Sequence, residues 1–267
     1  MFKAYYGLTF NPFHKTISEK DCFLSRDHKE MISRLNYLKD TRGIGLFTAP
    51  TGMGKTYALR CFAKDLNPNL YQVVYTCLST VSILEFYRQF SNALGLESVS
   101  RKSQMFKNIQ EHLIHLIKDK RKTIIFAVDE SQYLNTEILR DLKMLMNFDL
   151  DARDCFALLL IGQPVLNDIL DKQVHEALKQ RIVIHYNFNG LNSEEVAQYI
   201  YSRLELAGAS REVIDDAAII ALGNGCQGSA RQLNSLMTKS LMFGAQLKKP
   251  SIDTEIILAA SNELALR

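Results

Sequence analysis

Along the first part of the chain, short uninterrupted apolar runs alternate with segments whose apolar positions recur three and four residues apart. The first pattern predicts strands buried on both faces, the second amphipathic helices. Five strands are predicted: one from residue 43 into the following loop, then 71–78, 123–128, 156–161 and 182–186. The second is rich in β-branched and aromatic residues, and Asn67-Pro68-Asn69 makes a turn ahead of it. Helices fall between them. One covers 27–40, with Met31, Ile32, Leu35 and Leu38 on one face, and another covers 57–63. A third covers 81–94 and ends at Gly95, a good C-cap. A fourth covers 104–118, with Phe106, Ile109, Leu113 and Ile117 in line, and a fifth covers 136–148. Helical segments then lead to Arg181. Strands alternating with helices in this way predict a parallel sheet covered on both faces.

The pattern changes after Gly190. Asn192-Ser193-Glu194-Glu195 has the chemistry of a helix start, and helices are predicted over 193–207, 211–222, 229–245 and 253–265. Gly208, Gly223-Asn224-Gly225 and Pro250 supply the breaks. This divides the chain into an α/β domain over 1–190 and an all-helical domain over 191–267. Residues 1–20 carry Phe2, Tyr5, Tyr6, Leu8, Phe10 and Phe13 around Gly7 and Pro12, too aromatic for a disordered tail and too punctuated for a long helix. They are expected to strap onto the α/β domain, by plain hydrophobic packing or by helping to form a pocket for a base.

Composition narrows this little. The 267 residues are 47% hydrophobic and 23% charged, ordinary for a globular protein, and the net charge of +3 is too mild to argue for nucleic acid by itself. The five cysteines are scattered without a C-x-x-C pair, and Cys61 and Cys77 sit in apolar segments, where buried reduced thiols are expected. With no signal peptide and no apolar run near the ~20 residues of a membrane span, a soluble cytoplasmic protein without a membrane partner is expected.

The first strand carries the chemistry. After Thr48 the chain reads Ala49-Pro50-Thr51-Gly52-Met53-Gly54-Lys55-Thr56 and enters a helix, the strand–loop–helix context of a phosphate-binding loop. Backbone N–H groups and the helix N-terminus would cradle the phosphates of a nucleoside triphosphate. In that arrangement Lys55 reaches the β- and γ-phosphates and the Thr56 hydroxyl ligates Mg²⁺. Ala49 stands where the motif has its first glycine. Asp129 and Glu130 end the third strand: Asp129 as a Mg²⁺ residue alongside Thr56, Glu130 as the group that orients and polarises the attacking water. Alone, an acidic pair at a strand end is often only solvated turn.

Three further residues allow two readings each. Gln163, after the fourth strand, could bridge the γ-phosphate and the attacking water, or cap nearby backbone. Arg181, just before the fifth strand, could be a helix-dipole partner, or a finger presented to the γ-phosphate of a neighbouring subunit. Arg231 opens a helix of the second domain; it is either solvated or placed there for a reason, since a cation at a helix N-terminus is electrostatically unfavourable.

Taken in order, Ala49 to Thr56, Val128-Asp129-Glu130-Ser131-Gln132-Tyr133-Leu134, Leu159-Leu160-Ile161-Gly162-Gln163-Pro164, Gln180-Arg181-Ile182 and Gly228 to Asn234 resemble an AAA+ ATPase. They are similar in particular to the ExeA-like branch, and Tyr6-Gly7-Leu8-Thr9-Phe10-Asn11-Pro12-Phe13 resembles the N-terminal motif of that branch. The resemblance implies a P-loop NTPase fold with a five-stranded sheet in the order 5-1-4-3-2 and a helical lid. It implies ATP and Mg²⁺ as cofactors, Gln163 as sensor 1, Arg181 as a trans arginine finger and Arg231 as sensor 2.

Two groups share that branch: secretion ATPases with a membrane span and a cell-wall-binding region, and transposon-encoded ATPases of the TniB, TnsC and IstB types. The length of the chain favours the second. The resemblance then implies a prokaryotic, cytoplasmic, ATP-dependent homo-oligomer, ring or filament, that binds duplex DNA without sequence preference and recruits a transposase. A secretion-assembly ATPase that binds protein, and a replication-type loader, are the alternatives. DNA contacts are expected at Ser79 and Thr80, after the second strand, and at Arg101, Lys102 and Lys107, with phosphates as their targets. The cluster Lys118-Asp119-Lys120-Arg121-Lys122 is expected to be a solvated connection.

Overall fold

A computed structural model describes residues 2–14, 18–77, 82–148, 153–154 and 156–265. The chain forms two compact units: Met1–Lys29 with Pro50–Gly54 and Asn189–Arg267, and Glu30–Ala49 with Lys55–Phe188.

The second of these holds a five-stranded parallel sheet of β1 (Gly43–Thr48), β2 (Tyr71–Cys77), β3 (Thr123–Asp129), β4 (Ala157–Gly162) and β5 (Ile182–Asn187), in the order β2-β3-β4-β1-β5. Read from the other edge this is 5-1-4-3-2, as expected. Strands β1 and β4 are buried at every position and β3 at all but Thr123, because helices cover both faces; the edge strands β2 and β5 alternate. Its longer helices are α1 (Arg26–Thr41), α2 (Lys55–Asp65), α3 (Ile83–Ala93), α4 (Lys102–Ile114) and α5 (Thr136–Met146). Ser82 caps α3 by accepting the Glu85 N–H, and Gly95, in the left-handed region at φ 77°, closes it as its sequence position predicts. The continuation of α4 is a π-helical turn, His115–Asp119. Phe90 stacks on Phe126 with centroids 4.0 Å apart, tying α3 to the sheet.

The other unit contains α6 (Ser193–Leu206), α7 (Asp216–Cys226), α8 (Ala230–Gln246) and α9 (Thr254–Ala265). Asn192 and Glu195 form a reciprocal capping box at the start of α6, where the sequence places a helix N-terminus. The break expected at Gly223-Asn224-Gly225 is displaced. Helix α7 runs through it, because Ala218, Ile219, Leu222 and Cys226 keep one buried face that offsets about 1 kcal/mol per internal glycine. It ends instead at Gln227 (φ 46°) and Gly228 (φ 77°). Arg211–Val213, expected to open that helix, forms a separate 3-10 turn.

The aromatic N-terminal segment also lies elsewhere than expected. Tyr6, Leu8 and Phe13 belong to the core built by Val196, Ile200, Leu233, Met237 and Ile252 of the helical unit. The Thr9 N–H and hydroxyl both donate to the Ala207 carbonyl at 2.9 Å, and the Tyr6 hydroxyl donates to that of Lys249 at 3.1 Å. Hydrophobicity predicts that such a segment is buried, but not against which core. Cys61 and Cys226 are buried, whereas Cys77 is exposed, because the alternation of an edge strand turns it outward.

Candidate nucleotide-binding site

Strand β1 delivers the phosphate loop. Ala49 is buried; its N–H donates to the Gly162 carbonyl at 3.1 Å, and its own carbonyl accepts the Lys55 ammonium at 2.8 Å. A methyl group at the position of the first motif glycine is therefore accommodated. Gly52 (φ 86°) and Gly54 (φ 93°) adopt the left-handed conformation on either side of Met53, the alternation that turns successive N–H groups into an anion-binding concavity. Pro50 and Thr51 are exposed, and Gly52, Met53 and Gly54 are half-buried. Gly52 is needed for space as well, since a Cβ there would lie 2.6 Å from Ser229 Oγ and 2.8 Å from Arg231 Cβ. The Gly52 carbonyl accepts the Arg231 N–H at 3.2 Å, at the start of α8.

Strand β3 delivers the acidic pair. Asp129 is buried, and its Oδ2 accepts the Thr56 hydroxyl at 2.6 Å and the Tyr75 hydroxyl at 3.0 Å, while Oδ1 accepts the Glu130 N–H at 2.9 Å. Burial and the Asp129 carboxylate push the Tyr75 phenol well above its ordinary pKa, so it stays a donor. A carboxylate flanked by hydroxyls is the hard, all-oxygen donor set that suits Mg²⁺, so the residues fit the ion the motif implies.

Glu130 leaves the strand in the left-handed region at φ 56°. Its Oε2 accepts the Gln132 side-chain N–H at 2.6 Å, and Gln132 Oε1 accepts the Gln163 backbone N–H at 3.1 Å. Glu130 and Gln163, far apart in sequence, are thereby joined through a third residue. Arg181 is half-buried at the head of β5, its carbonyl accepting the Ile44 N–H at 3.3 Å, and Arg231 is exposed. Sequence reasoning missed Gln132 and Tyr75 as site residues. Gln132 stands two positions after the acidic pair, a signal that was available. Tyr75 pairs in register with Ala127 and reaches Asp129 diagonally, which no spacing along the chain reveals.

Of the residues expected to contact DNA, Ser79 and Thr80 lie outside the described residues. Arg101 is exposed in the N-cap position of α4, and Lys107 pairs with Glu111 at 3.7 Å. Lys102 is paired: its ammonium lies 2.5 Å from Asp141 Oδ2 and 5.5 Å from the centre of the Tyr87 ring. In the rival cluster, the Lys122 ammonium donates to the Pro68 carbonyl at 2.9 Å. Among the described residues no helix is long and apolar enough to cross a membrane.

The sheet order and the loop define a P-loop nucleotide-binding fold of the AAA+ type, and residues 38–170 match the family model described as an AAA domain. More particularly, the chain is 29% identical over 278 residues to General secretion pathway protein A of Aeromonas hydrophila, in a match that covers 100% of this chain and 49% of that protein. The chain thus spans about half the length of the curated relative it matches. Among solved structures it is similar to the Aeropyrum pernix ORC2 protein, at TM-score 0.70 and 14% identity over 95% of this chain and 71% of that one. It is similar also to Drosophila ORC bound to DNA, at TM-score 0.72 and 13% identity over 99% and 66%. For the Thermotoga maritima RuvB Holliday junction branch migration motor, the values are 0.56 and 18%, over 90% and 69%. At these identities the likeness to solved structures establishes the fold.

Proposed function

We propose that this chain is an ATPase that assembles with ATP into a homo-oligomer on duplex DNA, recruits a transposase in the cytoplasm of a prokaryote, and disassembles on hydrolysis. The observation that carries the reading is the convergence of Thr56, Tyr75 and the Glu130 N–H on the Asp129 carboxylate, with Glu130 next in the chain and tied to Gln163. Lys55 would pair with the β- and γ-phosphates, and Thr56 and Asp129 would hold Mg²⁺. Held there, Mg²⁺ would supply positive charge to offset that developing on the transferring phosphoryl group. Glu130 orients the attacking water and takes its proton, and Gln163 orients the γ-phosphate. Arg181, offered to the site of a neighbouring subunit, and Arg231 stabilise the transferring group.

Support for DNA comes from the fold shared with an ORC structure described as bound to DNA, and support for transposition comes from the resemblance of the motifs to the transposon-encoded ATPases. A second reading, an ATPase that assembles a secretion complex and binds protein, is favoured by the relative whose name assigns it to general secretion. Binding to random-sequence duplex with ATP and Mg²⁺, compared with ADP, separates them. The first reading expects ATP-dependent, length-dependent binding that Lys55→Ala abolishes together with ATP affinity. No DNA binding alongside ordinary ATP turnover selects the second.

A further inference from the structure

Gln132 uses both ends of its amide. Its N–H donates to Glu130 Oε2 at 2.6 Å, a charge-assisted bond, and its Oε1 takes the Gln163 N–H at 3.1 Å, which fixes which way the amide faces. The surroundings are built to admit it. A Cβ at Gly162, the last residue of β4, would lie 2.6 Å from Gln132 Oε1, so a side chain there would push the amide away from Gln163. The turn itself is held without Gln132. The Ser131 hydroxyl donates to the Val128 carbonyl at 2.7 Å, the Tyr133 N–H to that of Glu130 at 3.0 Å, and Asp129 Oδ1 fixes the Glu130 N–H. Those contacts keep Glu130 in a left-handed conformation that is strained for a non-glycine residue. What remains for Gln132 is the carboxylate.

We infer that Gln132 is a positioning residue: it sets the Glu130 carboxylate and ties it to the Gln163 backbone, so that base and phosphate sensor move as one unit. The inference rests on the hydrolytic reading above. Two substitutions separate its two bonds. Gln132→Leu removes both. Gln132→Glu keeps an oxygen for the Gln163 N–H but sets a second carboxylate against Glu130.

The experiment measures kcat and KM for ATP in the full chain, together with hydrogen exchange at the Gln163 amide. Both variants should lose kcat on the order of 10- to 100-fold, the scale of a misplaced catalytic group, with KM little changed. Exchange at Gln163 should accelerate in Gln132→Leu and stay slow in Gln132→Glu. Placed on Glu130→Gln, neither change should lower the residual rate further, because the group they position is gone. A parental kcat in both variants, an undiminished further loss on Glu130→Gln, or unaltered Gln163 exchange in Gln132→Leu overturns the inference alone. A parent chain that fails to turn over ATP overturns it together with the hydrolytic reading.

Discussion

The Thr56 hydroxyl donates to Asp129 Oδ2 over 2.6 Å, joining the first turn of α2 to the last residue of β3. The bond links two motifs separated in the chain by a strand and two helices. It brings together a hydroxyl and a carboxylate, the oxygens that a divalent ion needs.

Asp129→Ala should therefore act twice. It removes the residue proposed to hold Mg²⁺, and it leaves the hydroxyls of Thr56 and Tyr75 and the Glu130 N–H without their acceptor. Thr56 and Tyr75 are exposed residues that water can reach, so each lost bond costs about 0.5–1.5 kcal/mol and not the full penalty of a buried donor. Denaturant unfolding should show a loss of that size per bond, and nucleotide binding should lose its Mg²⁺ dependence. Tyr75→Phe removes one donor and leaves the carboxylate, so its cost should be nearer ~1 kcal/mol. Equal stability of Asp129→Ala and parent would contradict this account.

Glu130→Gln keeps the shape of the side chain and removes the proposed base. ATP should still bind, hydrolysis should fall by about 10²–10⁴-fold, and assembled oligomers should accumulate. Turnover at the parental rate would return Glu130 to a solvated turn residue.

The phosphate-loop glycines should not be equivalent. Both have positive φ, so an alanine at either is strained. At Gly54 the Cβ meets nothing within 4 Å, whereas at Gly52 it meets Ser229 Oγ at 2.6 Å and Arg231 Cβ at 2.8 Å. Gly54→Ala should cost about 1 kcal/mol and Gly52→Ala clearly more. Urea midpoints measured without nucleotide test the order; the reverse order would count against the packing of Ser229 and Arg231 on the loop.

What the chain revealed in advance follows from the range of each signal. Buried strands, the strand–loop–helix turn at 49–56, the helix start at Asn192 and the C-cap at Gly95 are local in sequence, and each was legible. The sheet order came from motif resemblance, since apolar runs say nothing about which strands are neighbours. Contacts across strands were not legible: Tyr75 reaches Asp129 from β2, and Gln132 joins Glu130 to β4. Lys102 read as a free cation because the carboxylate that holds it, Asp141, lies on another helix. The N-terminal aromatics were legible as buried but not by address.

Three histidines give the stability a pH dependence. Burial holds His28, His112 and His175 below the ordinary value of 6.5, helped at His112 by His115 and at His175 by Arg140 and Lys172. As pH falls through 6.5 the unfolded chain takes up protons that the folded chain refuses, so stability present above 6.5 declines toward the folded values. The melting temperature should drop between pH 7.5 and 5.5, and His175→Gln should flatten the drop. A melting temperature that rises on acidification would exclude these groups as the dominant ones in this range.

The geometry of α4 sharpens where DNA would be held. A phosphate contact needs a cation that can leave the protein surface, and each such contact contributes ~0.9 to the salt slope of binding. Lys102 does not meet that description: Asp141 neutralises it, and the Tyr87 hydroxyl donates to the same carboxylate oxygen at 3.0 Å. Removing Lys102 would leave Asp141 without its cation, so Lys102→Ala should lower the melting temperature and change the salt slope little. Arg101 is exposed and at the tip of the helix, and Lys107 is exposed with only a 3.7 Å pairing to Glu111. An exposed pair of that kind is worth at most about 1 kcal/mol, so Lys107 can exchange its partner for a phosphate. Arg101→Ala and Lys107→Ala should each reduce the slope by ~0.9 per contact made, uniformly across DNA sequences, with the melting temperature and DNA-free ATP binding unchanged. The assignment fails if both variants keep the parental slope, or if Lys120→Ala/Arg121→Ala is the variant that loses it.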